Sequence, residues 1–295
     1  MSLISNNPQP LQPGDTVMVV SPSGALREIN DFNHSLEIWR SRGYHVEFSS
    51  HWDSTYHYLA GDDQQRRQSL QLAWQDPQVK AILCSRGGYG SMRLLEDHQW
   101  GRQAPLKWLI GFSDATALLW SLQKNGIAGI HGPVMTTLSQ EPSWSCQRMF
   151  SLLEGKQVEP LLGTGWGRGS SRGRLLAGNL TVATALLGTC LQPDLEGIIL
   201  ALEDVGESPY RIDRMLTQWR LSGLLQKVKA IALGRFSNCH RGQGDLEQVL
   251  KDRLLDLSIP IVSDLPFGHD GPNAALKLGA MAELDGDKGV LHLLD

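Results

Sequence analysis

Apolar residues in this chain come in short continuous blocks, separated by longer stretches where they recur every three or four positions. Thr16–Val20, Val79–Cys84 and Trp108–Ile110 are blocks of strand length with few polar interruptions. That is the pattern of strands covered on both faces. Tyr44–Phe48 reads as a further strand, and Ile127–Met135 as a strand with a turn. Between them the spacing predicts a helix opening at Ser21-Pro-Ser-Gly24 and running to about Arg42, where Gly43 stops it. It also predicts helices over Asp63–Trp74, near Ser91–Asp97, and over Glu141–Gly155 after Pro142. The polar, aromatic stretch His51–Asp63 is a loop. Strands and helices that alternate in this way predict an α/β fold with a parallel sheet and helices on both faces.

The pattern breaks at Gly163–Gly173, where glycine and serine dominate. Such a composition predicts a flexible connection. The expected organisation is therefore an N-terminal domain over 1–162, a linker over 163–173 and a C-terminal domain over 174–295. The second half continues with a small-residue helix, Thr181–Leu187, and a buried strand, Gly197–Leu202, ending in Glu203-Asp204. An amphipathic helix follows over Pro209–Leu221, with Tyr210, Ile212, Met215, Leu216 and Trp219 on its apolar side. A strand over Val228–Leu233, a helix over Leu246–Leu255 and a strand at Ile259–Val262 complete the alternation. The tail from Leu276 to Leu294 reads as short strands and turns.

Composition narrows the function. The 295 residues are 41% hydrophobic and 20% charged, with net charge −4. These values suit a globular protein with a sizeable core. A negative charge without a Lys/Arg block argues against a general nucleic-acid binder. No run of eighteen apolar residues predicts a membrane span, and the first ten residues lack the features of a secretory signal. The cytoplasm is the expected compartment. The four cysteines, Cys84, Cys146, Cys190 and Cys239, lack zinc-site spacing and are expected to be buried free thiols. No metal site is expected.

Candidate chemistry centres on Lys107–Trp120. An apolar strand meets Gly111, then Ser113, Asp114 and a segment with helical spacing. Strand, sharp turn, serine and helix together make the layout of a nucleophile elbow, although Ala115 stands where Gly-x-Ser-x-Gly has its last glycine. The competing reading makes Ser113 or Asp114 a helix N-cap. In a parallel sheet ligands sit beyond the carboxyl ends of the strands, which would gather Ser21, Arg86–Gly90 and Ser113. The turn Arg86-Gly-Gly-Tyr-Gly90 lacks the Lys-Ser/Thr of a P-loop, and Ser-Pro-Ser-Gly is no dinucleotide fingerprint. Its glycines either expose N–H groups to an oxyanion or make an ordinary tight turn. Glu203 at the mouth of an apolar strand is costly unless paired; a functional carboxylate and a surface turn both fit. His131, beside Gly-Pro, reads as structural. His269, bracketed by Gly268 and Asp270-Gly-Pro-Asn273, is either functional or part of a sharply turned loop.

Eight segments, in order along nearly the whole chain, resemble the LD-carboxypeptidase A family of serine peptidases, which includes microcin-immunity peptidases. They are Val20–Gly24, Ser85–Gly90, Ile110–Leu118, Gly129–Pro133, Ala177–Leu180, Leu202–Glu207, Arg211–Arg214 and Gly268–Asp270. The resemblance implies a Rossmann-like N-terminal domain, a C-terminal swivelling β/β/α domain, a homodimer, a site between the domains and no cofactor. It implies a triad of Ser113, Glu203 and His269. Backbone N–H groups of Gly88 and Asp114 are the expected oxyanion hole, and Arg86 and Asn179 are candidates for holding a substrate carboxylate. The implied substrate is a murein tetrapeptide, cut to release terminal D-alanine. Inactivation of a peptide-nucleotide antibiotic, an esterase activity and a non-catalytic peptide or sugar binder are the alternatives.

Overall fold

The computed structural model describes residues 6–96, 100, 105–240 and 244–294. Met1–Ser5 of the lead-in and the expected helix end at Asp97 lie outside the described residues. The chain forms two compact units: residues 1–157 with 275–279, and residues 158–274 with 280–295.

The first unit is a parallel α/β layer. Its elements are β1 (Thr16–Val20), α1 (Ile29–Ser41), β2 (His45–Phe48), α2 (Asp63–Gln75), β3 (Val79–Cys84), α3 (Ser91–Leu94), β4 (Trp108–Gly111), α4 (Thr116–Lys124), β5 (Ile130–His131) and α5 (Ser143–Leu153). The sheet order is β12-β5-β4-β3-β1-β2, with Leu276–Lys277 (β12) antiparallel to β5. Val17, Val19, Ala81, Ile82, Leu109 and Ile130 are fully buried, as expected for central strands covered on both faces. Helix α1 packs Phe32, Leu36 and Trp39 inward at spacings of four and three, one apolar stripe of a 3.6-residue helix. Helix α2 opens on a capping box: Asp62 accepts from Gln65 N at 2.8 Å, and Gln65 accepts from Asp62 N at 3.1 Å. That satisfies two of the donors a helix start leaves unpaired.

The predicted helix at Ser21 begins eight residues later, at Ile29. The segment 21–25 is buried, and its backbone is committed elsewhere. Gly24 N donates to Gly87 O at 3.1 Å, and Ala25 N to Tyr58 O at 3.2 Å. These tertiary bonds take the place of a helical turn.

The second unit is a mixed sheet in the order β6-β14-β13-β8-β9-β10-β11-β7. Its strands are β6 (Leu161–Leu162), β7 (Thr164–Gly165), β8 (Ser170–Asn179), β9 (Ile199–Val205), β10 (Ala230–Ser237), β11 (Ile261–Ser263), β13 (Met281–Asp285) and β14 (Val290–Leu293). Strands β8 to β11 run parallel, and the wing is antiparallel. Helices α6 (Leu180–Leu186), α7 (Pro209–Leu221) and α8 (Leu246–Leu254) connect the parallel strands.

The glycine-rich stretch is built structure, not a loose connection. Strands β6 and β7 lie at opposite ends of the sheet order, separated only by Gly163. The chain there curls the sheet into a barrel-like form. A Cβ on Gly163 would meet Ser263 O at 2.2 Å, and one on Gly165 would meet Gly286 O at 2.2 Å. Glycine is needed because backbone touches backbone at this seam.

All four cysteines are free. Cys84 and Cys239 are buried, but Cys146 is partly open and Cys190 is exposed, so the expectation of burial fails for the last. Among the described residues, no helix is long and apolar enough to cross a membrane.

Candidate active site

In the first unit the carboxyl end of β4 carries Ser113. The strand stops at Gly111, and Ser113–Ala115 form a 3-10 turn leading into α4. Gly111 has no room for a side chain, since a Cβ would lie 2.8 Å from Ala115 Cβ and 3.0 Å from Cys84 Sγ. Ser113 has φ +59°, a left-handed conformation that costs a non-glycine residue about 1–3 kcal/mol and tends to occur where surrounding structure over-determines it. No side chain caps α4. The N-cap reading of Ser113 and Asp114 therefore does not describe this turn.

The glycine turn after β3 packs against Ser113. A Cβ on Gly87 would lie 3.1 Å from Ser113 Cβ and 3.2 Å from Ser113 Oγ. Gly88 and Gly90 have φ of +110° and +124°, which glycine alone adopts readily. Arg86 in this turn donates to Ala25 O at 3.1 Å and pairs with Glu28 at 3.4 Å. Those contacts tie the turn to the segment after β1. Asp114 is buried, and its Oδ2 accepts from Ser23 Oγ at 2.6 Å and from Ser91 N at 2.8 Å. Sequence reasoning named the Arg86–Gly90 turn but not the close approach of Gly87 to Ser113, nor Ser23 and Ser91. Only the Gly-Gly pair carried a local signal. His131 lies in β5, fully buried and edge-on to Phe112 with ring centroids 6.1 Å apart, a core position.

In the second unit Glu203 and Asp204 lie inside β9, which runs three residues beyond its predicted end. Glu203 is fully buried. Its Oε2 lies 2.6 Å from His269 Nδ1. A carboxylate accepts, so Nδ1 carries the hydrogen, and the neutral ring keeps its lone pair on Nε2. On β8, Asn179 is the sheet neighbour of Glu203. Its Nδ2 donates to Glu203 Oε1 at 3.2 Å and to Asp204 Oδ1 at 3.1 Å, while its Oδ1 caps α6 at Val182 N. Thr181 N and Oγ1 donate to Asp204 Oδ2 at 2.9 and 2.8 Å. These donors compensate two adjacent carboxylates taken out of water. Burial still holds the Asp204 carboxyl above the usual carboxylate range.

His269 sits in the loop after β11. Gly268 has φ +133°, and its N–H donates to Asn273 Oδ1 at 3.1 Å. Phe267, fully buried, accepts from Arg235 N at 2.7 Å. Burial would depress the imidazole, but the hydrogen bond and charge of Glu203, with Asp204 and Asp270 behind, raise it above its ordinary 6.5. Next to the loop a cavity of about 770 Å³ is lined by Trp166, Arg235, His240, Asp264 and Asp270, among others.

A buried Glu–His pair can orient an imidazole as a general base, and a strained serine turn against a glycine loop can present a hydroxyl. Comparisons with known proteins bear on both. Residues 17–132 match the LD-carboxypeptidase N-terminal domain, and residues 172–284 match the LD-carboxypeptidase C-terminal domain. A Synechocystis protein named "Putative carboxypeptidase slr1534" is 60% identical over 97% of each chain. The murein tetrapeptide carboxypeptidase of Pseudomonas aeruginosa is 34% identical, covering 95% of this chain and 96% of that one. The crystal structure of muramoyltetrapeptide carboxypeptidase from Oxalobacter formigenes superposes with TM-score 0.84 at 29% identity, covering 94% of this chain and 97% of that one. The microcin C7 self-immunity protein MccF shares the fold, with TM-score 0.88 at 23% identity over 99% and 98% of the chains.

Proposed function

The chain belongs to the LD-carboxypeptidase family of serine peptidases, and from that premise we propose that it removes terminal D-alanine from a murein tetrapeptide. The observation that carries the reading is the 2.6 Å contact between His269 Nδ1 and a fully buried Glu203.

In this mechanism Ser113 Oγ attacks the carbonyl carbon of the bond between an L-centre and terminal D-alanine. Serine is a weak nucleophile at neutral pH, so His269 Nε2 takes the hydroxyl proton as the bond forms. Glu203 keeps the imidazole in the tautomer that can accept there, and stabilises the imidazolium once formed. The tetrahedral oxygen is held by backbone N–H groups of Gly88 and Asp114, each such donor worth about 3–4 kcal/mol in the transition state. His269 then gives its proton to the departing amine of D-alanine. Water, deprotonated by the same imidazole, hydrolyses the acyl-serine and restores the hydroxyl. The reading requires that Ser113 and His269 meet when substrate binds.

Sheet position supports the assignment, because Ser113 follows the carboxyl end of a parallel strand, where ligands of such sheets collect. The cavity beside Asp270 lies in the size range of small-molecule sites and gives room for the body of a peptide. In this reading Arg86 and Asn179 hold the glycine turn and Glu203 in place, which is where their hydrogen bonds go. A cytoplasmic homodimer completes the proposal, and light scattering of the purified chain tests the dimer.

Incubation with the tetrapeptide, its L,L-isomer and a simple acyl ester tests the activity. D-alanine release from the first alone supports the reading. Turnover of the ester alone overturns it.

A further inference from the structure

The mechanism above uses the backbone of Asp114 and leaves its carboxylate idle. Asp114 is 5% exposed, and its carboxylate touches two other loops. Its Oδ2 accepts from Ser23 Oγ, in the segment after β1, and from Ser91 N, at the start of α3. In return Ser91 Oγ donates to Asp114 O at 2.6 Å. Ser23 and Ser91 are both fully buried, so these bonds are shielded from competing water.

The three loops follow β1, β3 and β4, adjacent strands of the sheet. Between β3 and Ser91 runs the glycine turn, with φ of +110° at Gly88 and +124° at Gly90. Glycines leave such a turn free to move unless its ends are fixed. One anchor is Gly24 N on Gly87 O. Arg86 on Ala25 O and Arg66 on Gly90 O at 3.0 Å hold it further, and at its far end Ser91 is held twice by Asp114. Across the same gap a Cβ on Gly87 would lie 3.1 Å from Ser113 Cβ, too close for easy accommodation, and Ser113 has a left-handed backbone that its neighbours must enforce.

We infer that the Asp114 carboxylate is a positioning residue. Through Ser23 and Ser91 it sets the distance between the Gly87-Gly88 backbone and Ser113 Oγ, and so the geometry of the oxyanion hole. This rests on Ser113 being the nucleophile. A misplacement of about 1 Å in such a site costs on the order of a hundredfold in rate, while the substrate body binds as before. The signature is a fall in kcat at constant KM.

The test measures kcat and KM for D-alanine release, with Tm, for Asp114→Asn, Ser23→Ala and the double variant Ser23→Ala/Asp114→Asn. Asp114→Asn lowers kcat at least roughly tenfold with KM within about twofold. The double variant loses no more than Asp114→Asn alone, because both changes act through one contact. If Asp114→Asn does not fold, Ser23→Ala, which removes a side-chain hydrogen bond donated to the carboxylate, carries the same prediction. Variants that lower Tm but keep kcat within twofold overturn the positioning role, as do multiplicative losses in the double variant. Absence of D-alanine release by the unaltered chain overturns the peptidase reading instead, and the positioning role with it.

Discussion

His269 donates its Nδ1 hydrogen to Glu203 Oε2 at 2.6 Å, and the accepting carboxylate has no exposed surface. One side of the ring is thereby committed to the carboxylate, and the proposed proton transfer falls to Nε2.

The pair fixes the pH dependence. His269 titrates above its ordinary 6.5 because the hydrogen bond and charge of Glu203 outweigh burial. The base must be neutral, so kcat/KM rises with pH through a value above 6.5. Glu203→Gln removes the charge, so that acid limb moves to lower pH and kcat falls by roughly 10²–10⁴. The stabilising contribution of the pair has the opposite sense: it is fully present below the unfolded histidine value and is lost as pH rises through the raised folded value. A pH profile of kcat/KM for both proteins checks the shift, and an unmoved limb contradicts it.

Much of this was legible in the sequence, for local reasons. Strands β1 and β3 and helix α7 have the predicted bounds, because continuous apolar runs and an N1 proline are local signals. Ser113, Glu203 and His269 were named from short motifs. The stretch 163–173 was misjudged because glycine looks alike in a flexible loop and in a seam where backbones touch. The contacts of Ser23 and Ser91 with Asp114 join residues 91 and 23 positions apart. No periodicity announces such a contact. The extension of β9 through Glu203 was hidden because its compensation comes from Asn179 on the neighbouring strand.

Gly87→Ala places a methyl group 3.1 Å from Ser113 Cβ. The neighbouring turn must give by a few tenths of an ångström or displace the hydroxyl. Activity falls roughly tenfold to a hundredfold, while Tm changes little. Steady-state kinetics with thermal unfolding checks this, and full activity would show that the close approach is not needed.

Gly165→Ala tests the barrel seam. Its Cβ would overlap Gly286 O, so the strand edge must separate. Overpacking of this kind costs roughly 1–3 kcal/mol. Denaturant unfolding reads the loss, and a variant as stable as the parent would mean the seam opens without strain.

Lys107 is fully buried, and its ammonium donates to the backbone carbonyls of Asp76 and Val79, the latter at 2.8 Å. Burial pushes it down to about 8 from 10.5. Between these values the unfolded chain binds the extra proton, so stability rises with pH there. Relative to Lys107→Met, the parent gains stability from pH 8 to 10.5. Paired unfolding curves check the sign, and a gap that narrows the other way refutes it.

The central claim is that Ser113 attacks a peptide bond to D-alanine with His269 as its base. Mass spectrometry of tetrapeptide incubated with the parent, Ser113→Ala and His269→Ala tests it most directly. The account predicts D-alanine from the parent and a loss of several orders of magnitude in both folded variants. Near-parental release by either variant would contradict it.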